Sequence, residues 1–125
     1  MSINKKILIV EDDEFLLSMY STKFEIEGYD VAMAGDGESG LQKAQKEKPG
    51  IILLDIMLPN MDGFDVLKKL KADRATSNIP VILLTNLSQK QDVERGLSMG
   101  ADDYLVKAHF MPSEVVDKIN RLLAK

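Results

Sequence analysis

The chain has 125 residues, 45% hydrophobic and 29% charged, which suits one globular domain; two would each be too small to bury a sound core. Its 16 basic and 20 acidic residues argue against direct nucleic-acid binding, which needs a basic face for phosphates. The absence of cysteine excludes disulfide scaffolds, thiolate zinc sites and cysteine nucleophiles, and a single histidine excludes a polyhistidine metal site.

The N-terminal stretch Ile7-Leu8-Ile9-Val10 is too short for a signal peptide or membrane span, so a cytoplasmic protein without membrane contact is expected. It reads instead as a first strand, and Leu16, Met19, Tyr20 and Phe24 recur at helical spacing until Gly28. Val31 to Ala34 suggests a milder edge strand, and Leu41 and Ala44 mark a helix between Asp36 and Lys48. Ile51 to Leu54 is a second unbroken apolar run, with a helix carrying Val66, Leu67 and Leu70 after Gly63. Val81 to Leu84 is a third, followed by a polar helix around Ser88 to Arg95, with Val93 and Leu97, that stops at Gly100. This thin stripe fits a surface helix near the sheet edge, or a weakly anchored element able to shift. Tyr104-Leu105-Val106 and the stripe Val115, Val116, Ile119, Leu122, Leu123 close the pattern. Unbroken apolar runs belong to strands covered on both faces, so alternation of strand and helix predicts an α/β, doubly wound parallel sheet.

In such a sheet, ligands bind beyond the carboxyl ends of the strands. Those ends carry Glu11-Asp12-Asp13, Asp55, Thr85 and Lys107. Each residue has a plainer reading: Asp12 and Asp13 as helix caps, Asp55 as an ordinary strand end, Thr85 as a β-former, Lys107 as a solvated charge. For Asp13 the cap is preferred; for the rest, coincidence on adjacent strand ends favours a site. Two carboxylates about 4 Å apart at an effective dielectric near 20 repel by roughly 4 kcal/mol, so the cluster calls for a cation. Oxygen-only ligands select Mg²⁺ or Mn²⁺ over zinc.

Glu11-Asp12, the run Leu54-Asp55-Ile56-Met57-Leu58-Pro59-Asn60-Met61-Asp62-Gly63, Leu84-Thr85 and Asp103-Tyr104-Leu105-Val106-Lys107 together resemble the receiver domain of two-component response regulators. The resemblance runs from Lys5 to Leu123 and implies a flavodoxin-like sheet of five strands in order 2-1-3-4-5, with five helices. It implies a chemotaxis-type, single-domain receiver over residues 1–125 with no output module. Asp55 is then the phosphoacceptor; Asp12, Asp55 and the Met57 carbonyl hold Mg²⁺, with Glu11 acting through water. Lys107 pairs with a phosphoryl oxygen, Thr85 bonds the phosphoryl group once formed, and Tyr104 follows that movement. Pro59 and Gly63 shape the covering loop. The implied donor is a histidine kinase or phosphotransfer protein, and the product surface serves an unidentified downstream protein. The chain is expected to be a monomer or a phosphorylation-linked weak dimer, and no enzyme beyond its own phosphorylation and dephosphorylation. His109 reads as a surface histidine.

The chain departs from the family in three places. Ala108 follows Lys107 where proline, with a cis bond, is usual; a cis non-proline bond costs about 3–4 kcal/mol, so a rearranged trans loop or a strained cis bond is expected. Asn86 stands where a small residue is usual, and Met111-Pro112 leaves the last helix poorly capped. Rival readings fit less well. A flavodoxin-like cofactor binder needs a Gly-rich phosphate loop where acids stand, and an aspartate phosphohydrolase needs a second acid at Met57. A pseudo-receiver, binding partners without phosphorylation, is the remaining alternative.

Overall fold

The apolar runs form the sheet. The computed structural model describes residues 5–59, 61–85, 90–107 and 112–123. Strand and helix alternate throughout: β1 (Lys6–Val10), α1 (Glu14–Ile26), β2 (Asp30–Ala34), α2 (Gly37–Glu47), β3 (Ile51–Asp55), α3 (Gly63–Ala72), β4 (Val81–Thr85), α4 (Lys90–Ser98), β5 (Asp103–Val106) and α5 (Pro112–Leu123). The strands pair in parallel, in the order β2-β1-β3-β4-β5. The expected doubly wound architecture and strand order are therefore present.

The unbroken runs follow from the two-residue period of a strand. Leu8, Val10, Ile52, Leu54, Val81 and Leu83 face α2 and α3, packing with Ala44, Phe64, Leu67 and Leu70. The alternate residues Ile7, Ile9, Ile51, Leu53, Ile82 and Leu84 face α1 and α5, packing with Tyr20, Phe24, Val116 and Ile119. Both faces are dry, so neither set of positions tolerates polarity. The milder β2 run is an edge strand, half-exposed along most of its length.

Aspartates cap three helices: Asp13, Asp36 and Asp62 accept backbone N–H bonds in the first turns of α1, α2 and α3. Gly28 and Gly100, with φ of 91° and 109°, follow α1 and α4 in the left-handed conformation that ends helices. α4 is the thinly anchored helix: its buried residues are Val93 and Gly96, and the Arg95 guanidinium lies 4.2 Å from the Phe64 ring centre on α3. Among the described residues no helix is long and apolar enough to cross a membrane. Asn86, Ser88, Gln89, Ala108, His109 and Met111 lie outside the described residues, as does the Lys107–Ala108 bond.

Candidate functional site

The Glu11-Asp12-Asp13 run divides into three tasks. The Glu11 N–H donates to Ala34 O at 3.0 Å, prolonging the β1–β2 ladder by one residue and drawing Glu11 inside. Its side chain is 0% exposed, and Oε1 accepts the Asp13 N–H at 3.0 Å. Asp12 stays exposed on the rim. Asp13 turns away to cap α1, its Oδ1 accepting from Phe15 N at 2.9 Å and Leu16 N at 3.2 Å.

Asp55 ends β3, paired with Leu84, and is 2% exposed. Its Oδ1 accepts the Met57 N–H at 3.0 Å, which fixes the carboxylate plane and the first residues of the β3–α3 loop together. The Gly63 N–H closes that loop onto Ile56 O at 2.9 Å. A Cβ at Gly63 would lie 2.7 Å from Ile56 Cα and closer still to Asp55 O, so only glycine lets α3 start this near the strand end. The Met57 side chain stands out in solvent at 59% exposure.

Carboxylate oxygens of Glu11, Asp12 and Asp55 lie within 4.8 Å of one another. Lys107 Nζ enters from the end of β5, 2.7 Å from Asp55 Oδ2 and 2.9 Å from Glu11 Oε2. The contact with Asp55 is a hydrogen bond; the one with Glu11 is an ion pair without that alignment. Glu11 Oε2 is thus a buried oxygen with no hydrogen-bond partner among the described residues. One cation, paired with two of the three carboxylates, leaves anionic charge over. A buried oxygen held by an ion pair alone, in an all-oxygen donor set, fits a hard divalent ion such as Mg²⁺.

Burial, ahead of charge repulsion, perturbs the titration of this site. Loss of solvent pushes the Glu11 carboxyl up to about 7, with the Asp55 charge adding to the rise and the Asp13 N–H and Lys107 opposing it. For Lys107, burial lowers the pKa, but hydrogen bonds and charge from Asp55 and Glu11 outweigh it, and the net shift is upward.

Thr85 is 1% exposed at the end of β4, and its hydroxyl donates to Leu105 O on β5 at 3.4 Å, a long bond. Tyr104 lies on the outer side of β5, 39% exposed, with Lys118 Nζ of α5 5.8 Å from its ring centre. The structure therefore gathers Glu11, Asp12, Asp55 and Lys107, places Met57 beside them, holds the Thr85 hydroxyl toward β5, and keeps Tyr104 apart. Sequence reasoning missed the dual pairing of Lys107 and the backbone packing around the covering loop. Neither has a local signature.

A doubly wound sheet with three acids and a lysine gathered at adjoining strand ends is the arrangement that the comparisons with known proteins bear on. Residues 7–120 match the family model of the response regulator receiver domain, and the chain belongs to that family. It is 42% identical to the alkaline phosphatase synthesis transcriptional regulatory protein PhoP of Bacillus subtilis, over 98% of this chain and 50% of that protein. The chain spans about half the length of the curated relatives it matches. Among solved structures, a CheY-like receiver domain protein from Methanospirillum hungatei superposes with a TM-score of 0.89 at 33% identity, covering 98% of this chain and 95% of that one. The receiver domain of a sensor histidine kinase from Pseudomonas aeruginosa, 28% identical, gives 0.88 over 98% and 99%; its active-site cleft coordinates a magnesium ion. Several relatives are named as DNA-binding regulators, so the acidic balance of this chain supports no exclusion of nucleic acid for a longer protein.

Proposed function

We propose that this chain is a phosphoacceptor signalling domain in which Asp55 takes a phosphoryl group from a phosphohistidine on a histidine kinase or phosphotransfer protein. The observation that carries the reading is the convergence of Glu11, Asp12 and Asp55 oxygens within 4.8 Å, with Lys107 paired to Glu11 and Asp55. An Asp55 carboxylate oxygen attacks phosphorus in line: the O–P bond forms, the P–N bond to the donor breaks, and the imidazole leaves with the electron pair. Asp12, Asp55 and the Met57 carbonyl would hold Mg²⁺, with Glu11 acting through water. When bound, the ion neutralises charge that develops on the phosphoryl oxygens.

Lys107 is already hydrogen-bonded to Asp55, so a short swing of its flexible stem transfers the ammonium to a phosphoryl oxygen. Thr85 must exchange its long bond to Leu105 O for one to the phosphoryl group, which would draw the β4 end inward. Tyr104 would follow, altering the surface of α4, β5 and α5 for a downstream protein. The phosphoryl group can bias this equilibrium only through such differential contacts. The sole reactions catalysed would be the domain's own phosphorylation and hydrolysis.

The test is incubation with acetyl phosphate and Mg²⁺, read by intact mass. A gain of one phosphoryl group that Asp55→Asn abolishes supports the reading. Unmodified wild type, with acetyl phosphate and with a phosphohistidine donor, would instead mark a phosphorylation-independent binding module.

A further inference from the structure

We infer that Gly37, the first residue of α2, is a positioning residue for the metal-binding loop on the far side of β1. The inference rests on the site reading above, in which the Met57 carbonyl serves the metal. Asp36 fixes the start of α2 by accepting the Ser39 N–H at 2.8 Å, so Gly37 cannot easily retreat. A Cβ built on Gly37 would lie 3.0 Å from Met61 C and 2.9 Å from Val66 Cγ2, and nearer still to the Met61 carbonyl oxygen. Real Cβ atoms essentially never come within 3.0 Å of a neighbour, and the obstacle is backbone, which cannot rotate aside like a side-chain tip.

The loop behind that carbonyl is tied down elsewhere. Met61 N–H donates to Pro59 O at 2.8 Å, Gly63 N–H to Ile56 O at 2.9 Å, and Met57 N–H to Asp55 Oδ1 at 3.0 Å. A methyl at Gly37 therefore pushes against a closed loop whose opposite end carries the Met57 carbonyl. Displacement on the order of an ångström passes along the loop, because packed backbone transmits strain. Mg²⁺ demands near-ideal octahedral geometry and tolerates such a shift poorly. The β2–α2 turn thus buttresses the ligand loop, although no side chain of Gly37 exists to contact anything.

Two other glycines separate this role from plain packing. Gly40, one turn further along α2, would place its Cβ 2.8 Å from the methyls of Val10, a contact with a core side chain and not with the loop backbone. Gly35 has nothing within 4 Å of a built Cβ. The experiment measures the Mg²⁺ dissociation constant by calorimetry on the full chain for wild type, Gly37→Ala, Gly40→Ala and Gly35→Ala, with melting temperatures alongside. Gly37→Ala should weaken Mg²⁺ on the order of tenfold, as loss of outer-shell support typically does. Gly40→Ala should lower the melting temperature with wild-type affinity, and Gly35→Ala should change neither. Wild-type affinity in Gly37→Ala overturns the inference; a wild type that does not bind Mg²⁺ instead overturns the site reading. If Gly37→Ala does not fold, the Gly37 amide of the wild type is followed by NMR during Mg²⁺ titration. It should shift with the same saturation as the Met57 amide, and an unmoved resonance overturns the inference.

Discussion

Burial of Glu11 makes the metal-free protein less stable as pH rises. Its carboxyl is pushed up to about 7 from 4.5, so between these values the folded chain keeps a proton that the unfolded chain has released. The folded state then binds more protons than the unfolded one, and stability falls with pH across that window. It is greatest below the unfolded value and levels off above the folded one. At 1.36 kcal/mol per unit, the loss is about 3 kcal/mol. In a domain of this size that lowers the melting temperature on the order of 10 °C. The assay is chemical denaturation in chelator between about pH 4.5 and about pH 7.5, for wild type and Glu11→Gln. Subtracting the two curves removes the groups they share. The variant should be the flatter of the two, and Mg²⁺ should restore wild-type stability most at high pH, where it displaces no proton. Parallel curves for the two proteins in chelator would refute the reasoning.

Asp12→Ala should abolish the rise in melting temperature that Mg²⁺ gives the wild type while costing the metal-free fold little, since Asp12 is exposed; a retained rise would remove Asp12 from the ligand set. Gly63→Ala should destabilise by about 1–3 kcal/mol, because its methyl meets the Asp55 and Ile56 backbone; denaturant midpoints equal to wild type would contradict that packing. Asp13→Ala should cost about 1 kcal/mol through loss of the α1 cap and leave Mg²⁺ affinity within a factor of about two. A large loss of affinity there would place Asp13 in the site.

Strand ends were legible because unbroken apolar runs need two dry faces, and the residue after each run then lies on the ligand-binding rim. Asp13 was legible as a cap because aspartate stands just ahead of the periodic stripe that begins at Leu16. The depth of Glu11 was not, since it depends on a backbone bond to Ala34 of another strand. The position of Lys107 between two carboxylates likewise depends on where β5 ends relative to β1 and β3. Thr85 read correctly as a strand-end hydroxyl, but its bond to Leu105 O depends on the neighbouring strand. The stacking of Arg95 on Phe64 and of Gly37 on the Met61 carbonyl joins elements distant in sequence, so no local pattern encodes it. The small buried face of α4, by contrast, was visible in its thin apolar stripe.

The central claim is that the Asp55 side chain itself carries the phosphoryl group. Reduction of the acetyl phosphate-treated protein with borohydride converts an aspartyl phosphate to homoserine, which peptide mass spectrometry locates. The account predicts homoserine at position 55 alone, dependent on Mg²⁺ and missing from Asp12→Ala. Homoserine at Asp12 or Asp13, or phosphate retained on a hydroxyl such as Thr85, would contradict it.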